Sequence, residues 1–117
     1  MTATLLTDVT IANGQTASEA IQMGHGGSLT NENTKTLQGV IIPTEFDGTS
    51  ISFQVSRDNV TYYNLYDQTN ALVSLTVAAD RAYALPADKF NGWAYLKIVA
   101  GTTQTGDTTL TASLFDV

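Results

Sequence analysis

The chain contains no cysteine, which excludes disulfide staples and thiolate metal sites. It has one histidine, His25, in the glycine-rich stretch GHGG. A Ser–His–Asp arrangement would depend on that imidazole, and a loop of this kind holds a ring poorly. One histidine without cysteine also argues against zinc, which needs three or four converging ligands. Charge is scarce: 14% of residues are charged, against ~25% in ordinary soluble domains. The five basic residues (Lys35, Arg57, Arg81, Lys89 and Lys97) are scattered, and the net charge is −6. A nucleic-acid groove needs clustered Lys and Arg, so neither nucleic acid nor an anionic membrane is an expected partner. No run of about 18 apolar residues occurs, and no membrane span is expected. The first residues, MTATLLTDVT, lack a basic n-region and an apolar run of signal length. The expectation is a soluble product of the cytoplasm that leaves it only by lysis or within a larger particle.

What fills the chain is Thr, Ser, Asn, Gln and Gly, with hydrophobic residues at 43%. Hydroxyls and amides suit strand surfaces better than exposed helices. At 117 residues there is room for one domain, 1–117, with its own core.

Alternation with period two marks roughly eight strands. In TLLTDVTIAN, Leu5, Val9 and Ile11 share a parity. SEAIQM is a short, weak candidate. LQGVIIP stops at Pro43, which cannot donate to a ladder. In ISFQVSRDNVTYYNLYD, Ile51, Phe53 and Val55 oppose Ser52, Gln54 and Ser56. Asp58 and Asn59 then supply a turn tolerant of left-handed backbone. The return strand sets Tyr63 and Leu65 against Tyr62, Asn64 and Tyr66. ALVSLTVAA alternates through Val73, Leu75 and Val77, and RAYALP closes at Pro86. ADKFNG has room for one helical turn. WAYLKIVA sets Leu96 and Ile98 against Trp93, Tyr95 and Lys97, and TTLTASLFDV ends the chain with Leu110, Ala112 and Leu114 in phase. QTASEAIQM would make only two helical turns, marginal without packing. Short strands at this spacing predict an all-β fold: an antiparallel two-sheet sandwich of jelly-roll type. Residues 24–37, GHGGSLTNENTKTL, read as a long loop or arm.

No reaction finds its components in this sequence, and no enzyme activity or cofactor is expected. Most of the eleven acids, including Asp47, Asp58, Asp67, Asp80, Asp88 and Asp107, fall in turn-like stretches where Asp serves the backbone. There is no EF-hand loop, P-loop or dinucleotide fingerprint. DQTN or TGD could lend oxygens to a calcium ion only in a site assembled by the fold. The surplus is aromatic. Tyr62 and Tyr66, with Trp93 and Tyr95, would form a second small core, a protein interface or a sugar-stacking platform.

The central segment resembles small structural proteins of tailed bacteriophages over roughly residues 40–103. It has ISFQVSRDNVTYYNLYD, then TVAADRAYALP, then WAYLKIVAGT. The shared pattern is a strand, an S-x-D-G-like turn, an aromatic strand ending L-Y-D, then Y-x-L-P and Y-x-K-I-x-x-G-T. Asn59 replaces the glycine common in that turn. Residues 1–39 carry little of the pattern. The resemblance implies a non-enzymatic virion protein, foremost a capsid decoration (cement) protein on the capsid surface, made in the host cytoplasm. Its implied partners are the major capsid protein and itself, as homo-dimer or homo-trimer. A tail, adaptor or fibre-associated component, or a carbohydrate-binding module for host attachment, is the alternative. The interface candidates are Tyr62, Tyr66, Trp93 and Tyr95, with His25 and Leu29 from the arm.

Overall fold

The computed structural model describes residues 4–24 and 35–116. Among the described residues nine strands form in chain order: β1 (Thr4–Ile11), β2 (Ile21–Gln22), β3 (Lys35–Ile42), β4 (Ser50–Ser56), β5 (Tyr63–Asn64), β6 (Ser74–Thr76), β7 (Arg81–Ala84), β8 (Tyr95–Ala100) and β9 (Thr108–Asp116). A 3-10 turn, Ala87–Lys89, occupies the place expected for a helical turn. Among the described residues there is no α-helix.

All ladders are antiparallel, and they nest: β1 pairs with β9, β2 with β8, β3 with β7, and β4 with both β5 and β6. Bending such a ribbon over itself places β1-β9-β3-β7 in one sheet and β2-β8-β4-β5 in the other, with β6 also on β4. This is the strand order of a jelly roll, so the expected fold class holds. Jelly rolls have eight strand positions; here β5 and β6 share the last one.

The period-two pattern translates directly into the core. Val9 and Ile11, Leu37, Val40 and Ile42, and Leu110, Ala112 and Leu114 point inward from the first sheet. Ile51, Phe53 and Val55 with Leu96, Ile98 and Ala100 answer from the second. Each large side chain taken from water contributes roughly 1.5–3 kcal/mol. Phe53 and Phe90 meet edge to face at 4.7 Å between centroids, an arrangement their quadrupoles favour.

Three local readings are corrected. Of the arm expected at 24–37, residues 25–34 lie outside the described residues, and the described ends are held in place. Gly24 is buried and donates to the Ala94 carbonyl, and Lys35, Thr36 and Leu37 belong to β3. Leu37 is in the core, and the Thr36 hydroxyl bonds the Ala87 carbonyl, so this stretch is held by packing and ladder bonds. The 51–66 hairpin has a return strand of only two residues, because β8, not β5, is the long neighbour of β4. ALVSLTVAA yields only the three-residue β6, although Val73 and Val77 remain buried. A register shift between Leu37 and Gly39 adds a residue to β3. It lets both Leu37 and Val40 face inward, the usual effect of a bulge.

Candidate functional site

The outer face of the second sheet is polar and nearly uncharged. Across β4 and β8 the register sets Ser52 beside Val99, Gln54 beside Lys97 and Ser56 beside Tyr95. Asn64 of β5 and Gln22 of β2 extend these rows. Residues directly opposite one another share a face, so Tyr95 and Lys97 stand out from the same side of β8. Lys97 Nζ lies 4.4 Å from the centre of the Tyr62 ring, a cation–π distance. The Tyr62 hydroxyl donates to Asn59 Oδ1. Partial burial, with lesser contributions from Tyr95 and Asp58, pushes the Tyr62 phenol above its ordinary value and keeps it protonated.

The loop that delivers Tyr62 is built by two short side chains. Ser56 Oγ accepts from the N–H groups of Asp58 and Asn59 and donates to Asp58 Oδ1. Asp58 Oδ1 in turn accepts from Val60 and Thr61 N–H. Asn59 takes φ 61°, a left-handed value that Asn reaches at low cost. The hydrogen bonds from Thr61, Val60 and Ser56 hold the Asp58 carboxyl below its usual value. The S-x-D-N segment is therefore a self-supporting turn.

Tyr66 belongs to a different neighbourhood. It bridges Leu72 across the DQTN turn and lines a cavity of about 420 Å³ with Asp67, Val73, Asp88 and Lys89. Asp67 Oδ1 accepts from the Thr69 hydroxyl at 2.6 Å and from Thr69 and Ala71 N–H. These bonds, led by the hydroxyl, hold its pKa low. Lys89 stands 3.9 Å from Asp67 Oδ2, a surface pair of small energetic weight. The Asp67 carboxylate is thus tied to its own turn.

Against known proteins, this chain matches no family model, no curated protein and no solved structure.

The fold thus separates the aromatic candidates. Tyr62 lies over Lys97 on the second sheet, on the face that also carries Tyr95. Tyr66 lines the cavity beside the 3-10 turn. Trp93, after the left-handed Gly92 at φ 95°, leaves two-fifths of its surface open. His25 and Leu29 lie outside the described residues. Period-two alternation alone sets Lys97 on the Tyr95 face without giving it a role. The signal was there, since Lys97 is two residues from Tyr95. Its ring partner came from a loop whose path the alternation did not predict. Tyr63 is a second addition: it pairs with Val55, yet is two-thirds exposed, because β5 ends before the core closes over it.

Residues of the recurrent pattern take structural positions. Ser56, Asp58 and Asp67 anchor turns, Leu65 is in the core, and the Tyr83 hydroxyl accepts from Ala78 N–H at 2.7 Å. Leu96 and Ile98 complete the second sheet's inner face.

Proposed function

We propose that the protein is a non-enzymatic virion structural component of a tailed bacteriophage, acting as a capsid decoration protein. The observation that carries this reading is aromatic surface left over once the core is complete. Tyr63, Tyr66 and Trp93 stay exposed on a sandwich whose inner faces are already filled. Rings with polar tips are favoured at protein interfaces. The phage-like pattern of residues 40–103 supplies the particular kind of partner, an assembled lattice of major capsid protein.

The physical task is then stabilisation by mass action. A protein that binds the assembled shell better than free subunits shifts assembly toward the shell. As a dimer or trimer it would engage several capsid subunits at once, so modest contacts would add through avidity. The net charge of −6 disfavours capture by the packaged genome.

Glycan stacking is the weaker reading of the same rings. One face of Tyr62 is covered by Lys97, and Tyr66 lines a separate cavity, so a single flat platform is not formed.

The test is co-sedimentation of purified protein with undecorated heads, together with its copy number per virion. Saturable pelleting at micromolar concentration and hundreds of copies are expected. About a dozen copies would instead favour a neck or tail component, and protein left wholly in the supernatant would refute shell binding.

A further inference from the structure

Each sheet edge must either be paired or be protected against pairing. Most edges here are blunted. β7 is four residues long and carries Arg81, with Pro86 just beyond it; β2 and β5 have two residues each, and β6 three. β1 differs. It is an eight-residue edge strand without proline, lysine or arginine, and Asp8 is its one charge.

Its outward hydrogen-bonding groups can be assigned. Thr10 N–H donates to Glu19 Oε1, and the Thr10 carbonyl accepts from Glu19 N–H, both at 3.2 Å. Thr10 therefore points its backbone away from β9, and by alternation so do Thr4, Leu6 and Asp8. Glu19 plugs the edge at Thr10. Among the described residues nothing pairs with it at Thr4, Leu6 or Asp8. The open stretch is flanked by two exposed leucines on opposite sheet faces, Leu5 at 48% and Leu6 at 61%.

We infer that this edge pairs with β1 of a second copy, antiparallel, about a two-fold axis through Leu6. Three features select that occupant and register. First, centring on Leu6 places Leu6 against its counterpart and Thr4 against Asp8, so each open backbone group meets a complementary one. Centring on Asp8 would oppose two carboxylates, which is destabilising. Second, the same register covers both leucines. Leu6 packs on Leu6 on the outer face, while Leu5 lies opposite Thr7 and diagonal to the other Leu5 on the inner face, within reach of a long side chain. Third, a chain of net charge −6 repels its own copies least through its least charged long edge. The plug at Thr10 stops the incoming strand after Asp8, so pairing ends in a closed dimer. The two four-stranded sheets then become one.

This goes beyond shell binding, and its test uses purified protein alone, so failure of one reading leaves the other standing. Sedimentation velocity over a micromolar-to-millimolar series is expected to show a monomer–dimer equilibrium. Leu6→Lys, which sets two ammonium groups face to face, should raise the dissociation constant by roughly a hundredfold. Ile41→Lys, also exposed on the same outer face but on the interior strand β3, should leave it unchanged. Because native cysteine is absent, oxidation gives a second, independent readout. Leu6→Cys should cross-link, its paired Cα atoms lying about 5.5 Å apart. Asp8→Cys should not, since its counterpart is offset by ~13 Å along the strand. A wild type monomeric throughout, a Leu6→Lys dimer of undiminished affinity, or cross-linking at Asp8→Cys in preference to Leu6→Cys would overturn the inference.

Discussion

Gln104 treats Asp47 as a strand would treat its neighbour. Its Nε2 donates to the Asp47 carbonyl at 2.8 Å, and its Oε1 accepts the Asp47 N–H at 2.9 Å. Nε2 also donates to the Thr102 carbonyl, and Oε1 accepts from the Thr108 hydroxyl. A buried amide thus satisfies two loops that no ladder reaches. Gln104→Ala should strip all four bonds and cost on the order of 2–3 kcal/mol, since part-buried groups lose their partners. Gln104→Glu should also destabilise, because a carboxylate cannot donate to the two carbonyls. Urea unfolding of both variants checks this; a Gln104→Ala midpoint equal to wild type would show that water replaces the amide freely.

Acid should unfold the protein through its turns. Asp47, Asp58 and Asp67 are all held below the ordinary carboxylate range in the folded protein. Thr105 backbone and side-chain bonds are the main cause at Asp47, Thr61 N–H at Asp58 and the Thr69 hydroxyl at Asp67. A depressed folded pKa contributes stability that is fully present above the unfolded value, ~3.9, and is lost as pH falls through the folded value. The melting temperature should therefore hold steady near neutrality and fall below pH ~4. Asp58→Asn should melt lower at pH 7 and show a shallower acid decline. A melting temperature that climbs on acidification below that point would make relief of the net negative charge the dominant effect.

Head binding, if it runs through leftover ring surface, should be sensitive to single truncations there. Tyr66→Ala and Trp93→Ala are each expected to weaken association with undecorated heads by about tenfold or more, in the range of aromatic interface anchors. Their partial exposure should keep the melting temperature close to wild type. Occupancy titrations on heads, beside thermal scans, separate the two effects. Unaltered occupancy in both variants would move the contact surface elsewhere on the molecule.

The fold was legible wherever strict alternation met a buried face. β1, β3, β4, β8 and β9 lie where Val9 and Ile11, Leu37 and Ile42, Ile51 to Val55, Leu96 to Ile98 and Leu110 to Leu114 place them. Pro43 and Pro86 fall just past strand ends, as their missing N–H requires. The illegible parts are those in which side chains replace ladders. Ser18 is buried, with its Oγ accepting from Ile98 N–H at 3.0 Å, and Gln104 serves two loops, but neither carries a local pattern. Alternation overstates β5 and β6, because it continues through Tyr62–Tyr66 and Val73–Val77 beyond the paired residues. The candidate site was half legible. Period two placed Tyr95 with Lys97 correctly, but it could not show that a loop would carry Tyr62 over Lys97 and leave Tyr66 beside the 3-10 turn.

The nested ladders have a kinetic consequence. Thr4 lies opposite Phe115, so the outermost rung joins residues far apart in sequence. Topologies dominated by such distant partners gain native contacts only after costly loop closure, and they fold in milliseconds to seconds rather than microseconds. On the ribosome, β1 and β3 must both wait for β9, which separates them in the finished sheet and is synthesised after both. Until then two unpaired edges are open to other chains, and a nascent product arrested short of β9 would be the species most prone to aggregate.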